Sequence, residues 1–197
     1  MSDVAYIIGN GPSRKDFDLE LLRGSGTIYG CNALYRDFHP DYLVAIDTGI
    51  IAEILASDFP RNRFIIPPTN EHYEPAECNP ARPRSNAGMN AMLEALRRGA
   101  TSLVCLGFDF LLDNPAQAVD NMYSGSLNYG PETKANHDDN AGRLHFLQWF
   151  ITQNDAADFY FIFPHLTITP RPEGFPKNFW FATYETLKAN LKDDSGR

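Results

Sequence analysis

Residues 4–13 read VAYIIGNGPS, an apolar run of five residues followed by two glycines, an asparagine, a proline and a serine. The apolar run is typical of a buried β-strand. Residues 9–13 have no large apolar side chain to bury in a hydrophobic core, but their glycines permit a tight turn with exposed backbone amides. The sequence therefore predicts a first strand that ends in a turn, and this turn either serves the fold alone or holds a ligand.

The same kind of apolar run recurs along the chain, separated by longer segments with helical periodicity. The further candidate strands are TIYGC (27–31), YLVAI (42–46), RFIIP (63–67), SLVCLGF (102–108) and FYFIF (159–163). The candidate helices are RKDFDLELLRG (14–24), GIIAEILASDF (49–59), GMNAMLEALRRG (88–99), GRLHFLQWFITQN (142–154) and NFWFATYETLKANLK (178–192). Continuous apolar strands alternating with helices predict an α/β fold: a single Rossmann-like domain over 1–197, with a mostly parallel, twisted sheet and helices on both faces.

Three stretches do not fit this alternation. Residues 67–87 are rich in proline, and residues 112–140 are polar and irregular, so both are expected to be loops. Long loops of this kind often line a binding site. The tail 192–197 is expected to fray.

Composition narrows the class of protein. The chain has 197 residues, of which 43% are hydrophobic, and a formal net charge of −8. An excess of acidic residues argues against a nucleic-acid partner, because phosphate backbones require clustered lysine and arginine. No apolar stretch is long enough for a membrane span, and the N-terminus lacks the features of a secretory signal. The three cysteines show no metal or disulfide spacing, so a cytoplasmic protein is expected.

Polar residues follow several of the predicted strands. They are Gly9, Asn10, Gly11 and Ser13 after the first strand, Asn32 after the second, Asp47 after the third and Asp109 after the fifth. In an open α/β sheet, ligands bind beyond the carboxyl ends of the strands, near the switch in strand order. The sequence therefore predicts a nucleotide site at this edge, although neither G-x-G-x-x-G at the first turn nor a Walker motif is present.

Each of these residues also has a purely structural interpretation. Ser13 could cap a helix, with Asp16 three residues later in a weak capping box, and Asn32 could be a helix cap or a turn residue. Asp47 could bind a ribose hydroxyl or a metal, or cap the helix that opens at Thr48. Asp109 could fix the loop after its strand. His137, in polar sequence just before a helix, is the candidate general base because a histidine titrates near neutral pH.

The motifs IIGNGPS, YGCN and NAGMNAMLEALRRGATSLVCLGFDF, with a histidine ahead of RLHFL, resemble the bacterial lipooligosaccharide sialyltransferases. They are also similar to the related 6-hydroxymethylpterin pyrophosphokinase-like proteins. The resemblance to the sialyltransferases implies that Asn10, Ser13 and Asn32 hold the cytidine monophosphate part of a nucleotide-sugar donor. It further implies that Tyr123 binds the donor phosphate.

In the same resemblance, His137 deprotonates a hydroxyl acceptor, and the transfer is inverting and needs no metal or other cofactor. The turn RSNAG aligns with a serine-glycine turn of that family, which adds Ser85 and Asn86 to the nucleotide site. The function expected first is therefore that of a glycosyltransferase with a CMP-sialic-acid-like donor.

Two alternatives stay open. Asp47 is closer to the pyrophosphokinase-like family, which uses ATP and magnesium; Asp47 and Asp109 would then be the metal ligands. The chain could also be a non-catalytic binding or assembly protein on the same fold, because a fold does not fix a function.

Overall fold

The computed structural model describes residues 3–67, 85–112, 121–131, 137–165 and 174–195, with side chains for all of these except 137–139 and 193–195. Their strands form one parallel sheet in the order β4-β3-β2-β1-β5-β6-β7. The strands are β1 Val4–Ile8, β2 Thr27–Cys31, β3 Tyr42–Val44, β4 Phe64–Ile65, β5 Ser102–Leu106, β6 Asp158–Phe163 and β7 Phe179–Thr183.

Helices cover both faces of this sheet. They are α1 Thr48–Ala56, α2 Ala87–Arg97, α3 His137–Gln153 and α4 Tyr184–Ser195. Met92 of α2 and Phe146 of α3 belong to the core on one face, while Ile54 of α1 and Leu187 of α4 belong to the core on the other. The predicted α/β class, with a parallel sheet between helices, is confirmed. In the described residues, none of the helices combines the length and apolar character needed to cross a membrane.

The strand order creates a switch point beside β1. From β1 the sheet grows through β2 and β3 to β4, and the chain then returns to place β5 on the other side of β1. Ile8 is level with Gly30 of β2 and with Leu106 of β5. The segments that follow β1 and β5 then pack on opposite faces of the sheet, and such a switch point is where a crevice opens.

One predicted helix is wrong, and a second is wrong in part. Residues 14–24 contain no α-helix; they form short 3-10 turns at Pro12–Arg14 and Leu19–Leu22, the second capped by the Asp18 side chain. Ser13 therefore has no helix to cap. Residues 179–183 form β7, whose pairing with β6 buries Phe179 and leaves Trp180 45% exposed, before the helix begins at Tyr184.

Other boundaries differ by a few residues. Helix α3 begins at His137 rather than at 142, so the irregular stretch is shorter than the expected 112–140. Strand β5 ends at Leu106 because Gly107 has a φ of +74°, which extended strands do not adopt. Helix α4 reaches Ser195, into the stretch expected to fray. Most of the expected loop 67–87 lies outside the described residues.

Candidate functional site

The GNGPS turn packs directly against the end of β5. The Gly9 N–H donates to the Leu106 carbonyl at 2.8 Å, and the Gly11 N–H donates to the Gly107 carbonyl at 3.0 Å. A Cβ at Gly9 would lie 2.6 Å from the Gly107 oxygen, so glycine is required by the close approach of two backbones. The two glycine amides are therefore engaged within the protein, and they do not face a ligand.

The anion that this turn holds is a carboxylate of the chain itself. Asp109 is 6% exposed. Its carboxylate accepts a hydrogen bond of 2.8 Å from the Ser13 N–H and a second, short one from the Ser13 hydroxyl. The Tyr184 hydroxyl, at the start of α4, donates to the Ser13 carbonyl at 2.6 Å and so links this helix to the turn. In these two bonds Asp109 has a structural role, but the segment that it holds is the turn after β1 rather than the loop after its own strand.

We expect Gly107→Ala to destabilise the fold by more than Gly99→Ala. Both glycines have positive φ, +74° and +92°, but a Cβ at Gly107 would lie 2.8 Å from the Gly9 carbonyl oxygen, whereas one at Gly99 meets nothing within 4 Å. Backbone strain alone costs about 1 kcal/mol, and the clash adds about 1–3 kcal/mol. Urea unfolding of both variants measures the difference; equal losses would contradict it.

A cavity of about 410 Å³ opens at the carboxyl edge of the sheet, over the switch point. Its volume is within the range of small-molecule sites. It is lined by predicted residues from five places along the chain: Gly9, Asn10, Gly11, Asn32, Asp47, Asn86 and Asp109. It is completed by Cys31, Ile46, Ser85, Ala87, Gly88, Gly107, Phe108, Phe110, Asn121, Tyr129 and Arg143. The structure thus brings most of the predicted site residues together.

Two asparagines at this cavity hold buried acceptors that are not used. The Oδ1 atoms of Asn10 and Asn32 are buried and have no hydrogen-bond partner in the part of the chain that the structure describes. A buried polar atom without a partner costs about 1–3 kcal/mol. A ligand that offers N–H or O–H groups at this wall would remove that cost.

The backbone and a neighbour fix how Asn32 is oriented. Asn32 has a φ of +50°, a left-handed conformation that asparagine tolerates better than most residues. Its Nδ2 donates to Asp47 Oδ2 at 3.4 Å, which leaves its Oδ1 as the free end. Asp47 stands at the N-terminus of α1, but its side chain makes no capping bond. The capping role suggested for Asp47 is therefore wrong, and its carboxylate contributes to the cavity wall.

Another part of the lining favours anions. Ser85, Asn86, Ala87 and Gly88 bring the N-terminus of α2 to the cavity, and Arg143 reaches it from α3. A helix N-terminus carries a partial positive charge, to which the guanidinium adds a full one. Asn86 caps α2, accepting from the Met89 N–H at 3.0 Å. The lining therefore contains both an acceptor-rich group, which includes Asp47, and an anion-binding group.

Three predicted residues lie apart from this lining. Ser13 bonds to Asp109, as described above. The Tyr123 side chain is 8% exposed, and its hydroxyl accepts from Arg14 Nη2 at 3.1 Å. Burial raises the pKa of Tyr123 well above its ordinary value. His137 is the first residue of α3, and its side chain lies outside the described part.

The segment 121–131, which supplies Asn121 and Tyr129 to the cavity, is anchored through Glu53 of α1. The Glu53 carboxylate accepts from Asn128 Nδ2 at 2.6 Å, from Arg36 Nε at 2.7 Å and from the Tyr35 hydroxyl at 2.5 Å. Burial alone would raise the pKa of Glu53, but these hydrogen bonds outweigh it and lower the pKa below its ordinary value.

This lowered pKa predicts an acid-sensitive anchor. The stabilisation is fully present above the pKa that Glu53 has in the unfolded chain, and it is lost as the pH falls through the lowered pKa of the folded state. Glu53→Gln should therefore reduce stability near neutral pH and show a smaller further loss on acidification. Urea unfolding between about pH 7 and about pH 3 measures this. An identical acid response in both proteins would contradict the prediction.

Several cavity residues were not predicted from the sequence, and they lie in the irregular stretch, in α3 and after β5. Asn121, Tyr129 and Arg143 carry no local motif, and their place at the cavity depends on how 121–131 and α3 pack. The aromatic pair in GFDF, Phe108 and Phe110, borders the same cavity, with ring centroids 6.2 Å apart. For these two rings, the sequence feature that could have indicated a place at the cavity is the aromatic-rich turn GFDF directly after a strand.

The carboxylates at this cavity are few. Among the described residues, no group of three or more His, Cys, Asp or Glu side chains converges as a metal site would require. Both oxygens of Asp109 already accept hydrogen bonds from Ser13. Asp47 is thus the acidic side chain of the cavity that is more open to a ligand.

Comparison with known proteins adds no relative: no family model, no curated protein and no solved structure matches the chain.

Proposed function

We propose that the protein is a glycosyltransferase that binds the nucleotide part of an activated sugar in the carboxyl-edge cavity. The observation that carries this proposal is the pair of buried, unpartnered oxygens of Asn10 and Asn32. They call for a ligand with several N–H or O–H groups. The resemblance of the sequence motifs to sialyltransferases favours a CMP-linked donor.

The two groups in the cavity lining suit the two ends of such a nucleotide. A cytosine amino group and ribose hydroxyls are donors, and they fit the acceptor-rich group formed by Asn10, Asn32 and Asp47. A phosphate fits the anion-binding group formed by the N-terminus of α2 and Arg143. In this arrangement Arg143 takes the role that the resemblance gives to Tyr123, whose hydroxyl is already engaged by Arg14.

The proposed reaction is a single displacement. The acceptor oxygen forms a bond to the anomeric carbon while the bond from that carbon to the donor phosphate breaks. His137 takes the acceptor proton, and the nucleoside monophosphate leaves with its charge stabilised by Arg143 and the α2 N-terminus. No step requires a metal.

His137→Ala should lower transfer by about 10²- to 10⁴-fold and leave nucleotide affinity nearly unchanged, because it removes the base but no part of the nucleotide site. His145→Ala is the matched control, since His145 lies on the same helix with an exposed side chain. The assay follows nucleotide release from CMP-, UDP- and GDP-sugars with a chelator present. Undiminished turnover by the His137 variant would remove it from the mechanism.

The magnesium-dependent alternative makes the opposite prediction in the same assay. Activity that appears only with ATP and magnesium, and that Asp47→Asn abolishes, would favour pyrophosphoryl transfer, for which Asp47 is the remaining available ligand. Binding of a nucleotide without any turnover would favour a non-catalytic binding protein.

A further inference from the structure

A second cavity, of about 320 Å³, lies at the opposite edge of the sheet. It is bordered by the beginnings of β1, β2 and β3 and by the C-terminal end of α2. Ala5, Ala95 and Ala100 give it small apolar walls, and Tyr29, Tyr42 and Arg98 supply larger side chains. Since α2 begins at the first cavity and ends at this one, the two are separated by the length of a helix of 11 residues.

Tyr29 offers an unused hydroxyl to this cavity. Its side chain is 2% exposed and lines the cavity, and within the described part of the chain its hydroxyl has no hydrogen-bond partner. Burial raises the pKa of Tyr29 to about 12, against the opposing effect of the Arg98 charge. The hydroxyl is therefore protonated near neutral pH and free to donate.

Arg98 offers an unpaired charge beside it. The Arg98 guanidinium lies 4.2 Å from the centroid of the Tyr42 ring, and the Tyr42 and Tyr29 rings are stacked at 5.2 Å. Arg98 forms no ion pair with any described residue. The adjacent Arg97, in contrast, pairs with Glu94 at 3.1 Å. Stacking on a tyrosine orients a guanidinium and leaves its edge free for a planar anion.

We propose that this amino-edge cavity, formed by Tyr29, Tyr42, Arg98 and the three alanines, binds a small aromatic carboxylate. The Arg98 guanidinium can only donate hydrogen bonds and the Tyr29 hydroxyl can donate one, which suits an acceptor such as a carboxylate. Its alanine walls leave room for a flat apolar ring, whose burial adds to the affinity. A neutral aromatic compound would carry no negative charge to pair with Arg98. An aliphatic acid would carry the charge but no ring to pack against the alanines.

Calorimetric titration with benzoate tests the proposal, with benzyl alcohol and acetate as probes that lack the charge and the ring. We expect benzoate to bind at least about tenfold more tightly than either probe. Arg98→Gln should weaken benzoate binding by about tenfold, and Tyr29→Phe should weaken it by about threefold to tenfold. Arg97→Gln, the matched control, should bind as the unmodified protein does.

Several outcomes of these titrations would contradict a benzoate site at the amino-edge cavity. No benzoate binding at about millimolar concentration, equal binding of acetate or benzyl alcohol, or full binding by Arg98→Gln would overturn the proposal. Benzoate binding that is lost in Asn32→Gly but kept in Arg98→Gln would assign the ligand to the carboxyl-edge cavity and would also overturn it. None of these results depends on the proposed glycosyltransferase function.

Discussion

Asn32→Gly is expected to weaken the binding of CMP by about ten- to a hundredfold while leaving the fold intact. Glycine accepts the φ of +50° at this position without strain, so the backbone can stay in place. The substitution removes the buried Oδ1 acceptor and the Nδ2 group that bonds to Asp47 at 3.4 Å. Loss of hydrogen bonds to a buried ligand costs about 1.5–3 kcal/mol, which corresponds to the stated range. Calorimetric titration measures the affinity.

Asn128→Gly is the matched control. Asn128 is the other non-glycine residue with positive φ in the described part of the chain, at +66°. Its side chain bonds to Glu53 and does not line the cavity. This variant should lose some stability and keep its affinity for CMP. Equal affinity of the Asn32 variant and the unmodified protein would remove Asn32 from the site.

Asp109→Ala is expected to lower the free energy of unfolding by about 2–4 kcal/mol. The carboxylate is 6% exposed and accepts both hydrogen bonds of Ser13, 96 residues away in the chain. Its removal leaves the Ser13 amide unpartnered, and the GNGPS turn is then held to the end of β5 only by the backbone hydrogen bonds of Gly9 and Gly11. Urea unfolding measures the loss.

The control for this variant lies three residues after the GNGPS turn. Asp16→Ala removes an exposed carboxylate, and since residues 14–24 form no α-helix, it should change stability by less than about 0.5 kcal/mol. A double-mutant cycle with Ser13→Ala should show strong coupling to Asp109. If the Asp109 and Asp16 variants were equally stable, the proposed anchoring of the turn would be wrong.

The fold was largely predictable because the central strands β1, β2 and β5 are largely buried on both faces. Continuous apolar runs such as VAYII and FYFIF identify strands without ambiguity about which face is buried. Strand β7 was not predictable in the same way. FWFAT continues without a break into YETLKANLK, and only pairing with β6 separates strand from helix. Residues 14–24 have helix-forming leucines, but Asp18 caps a short 3-10 turn there instead.

The candidate site was predictable where it depends on topology. Asn10, Asn32 and Asp47 follow three strands that lie side by side, so parallel pairing alone brings them to one edge. The partner of the GNGPS turn was not predictable as such. Asp109 was recognised as a loop anchor, but its pairing with Ser13 depends on the switch point between β1 and β5. The contribution of Arg143 depends on the packing of α3.

A thermal-shift panel tests the central claim, that the carboxyl-edge cavity is a nucleotide site, most directly. The panel contains CMP, CDP, UDP, GDP and ATP, each at about millimolar concentration with and without magnesium. A ligand at about 100 times its Kd adds about 2.7 kcal/mol of stability, which raises Tm measurably. We predict that CMP without magnesium raises the Tm of the unmodified protein and of Asn128→Gly, with a much smaller shift for Asn32→Gly. No shift with any nucleotide, or an equal shift in the Asn32 variant, would contradict the claim.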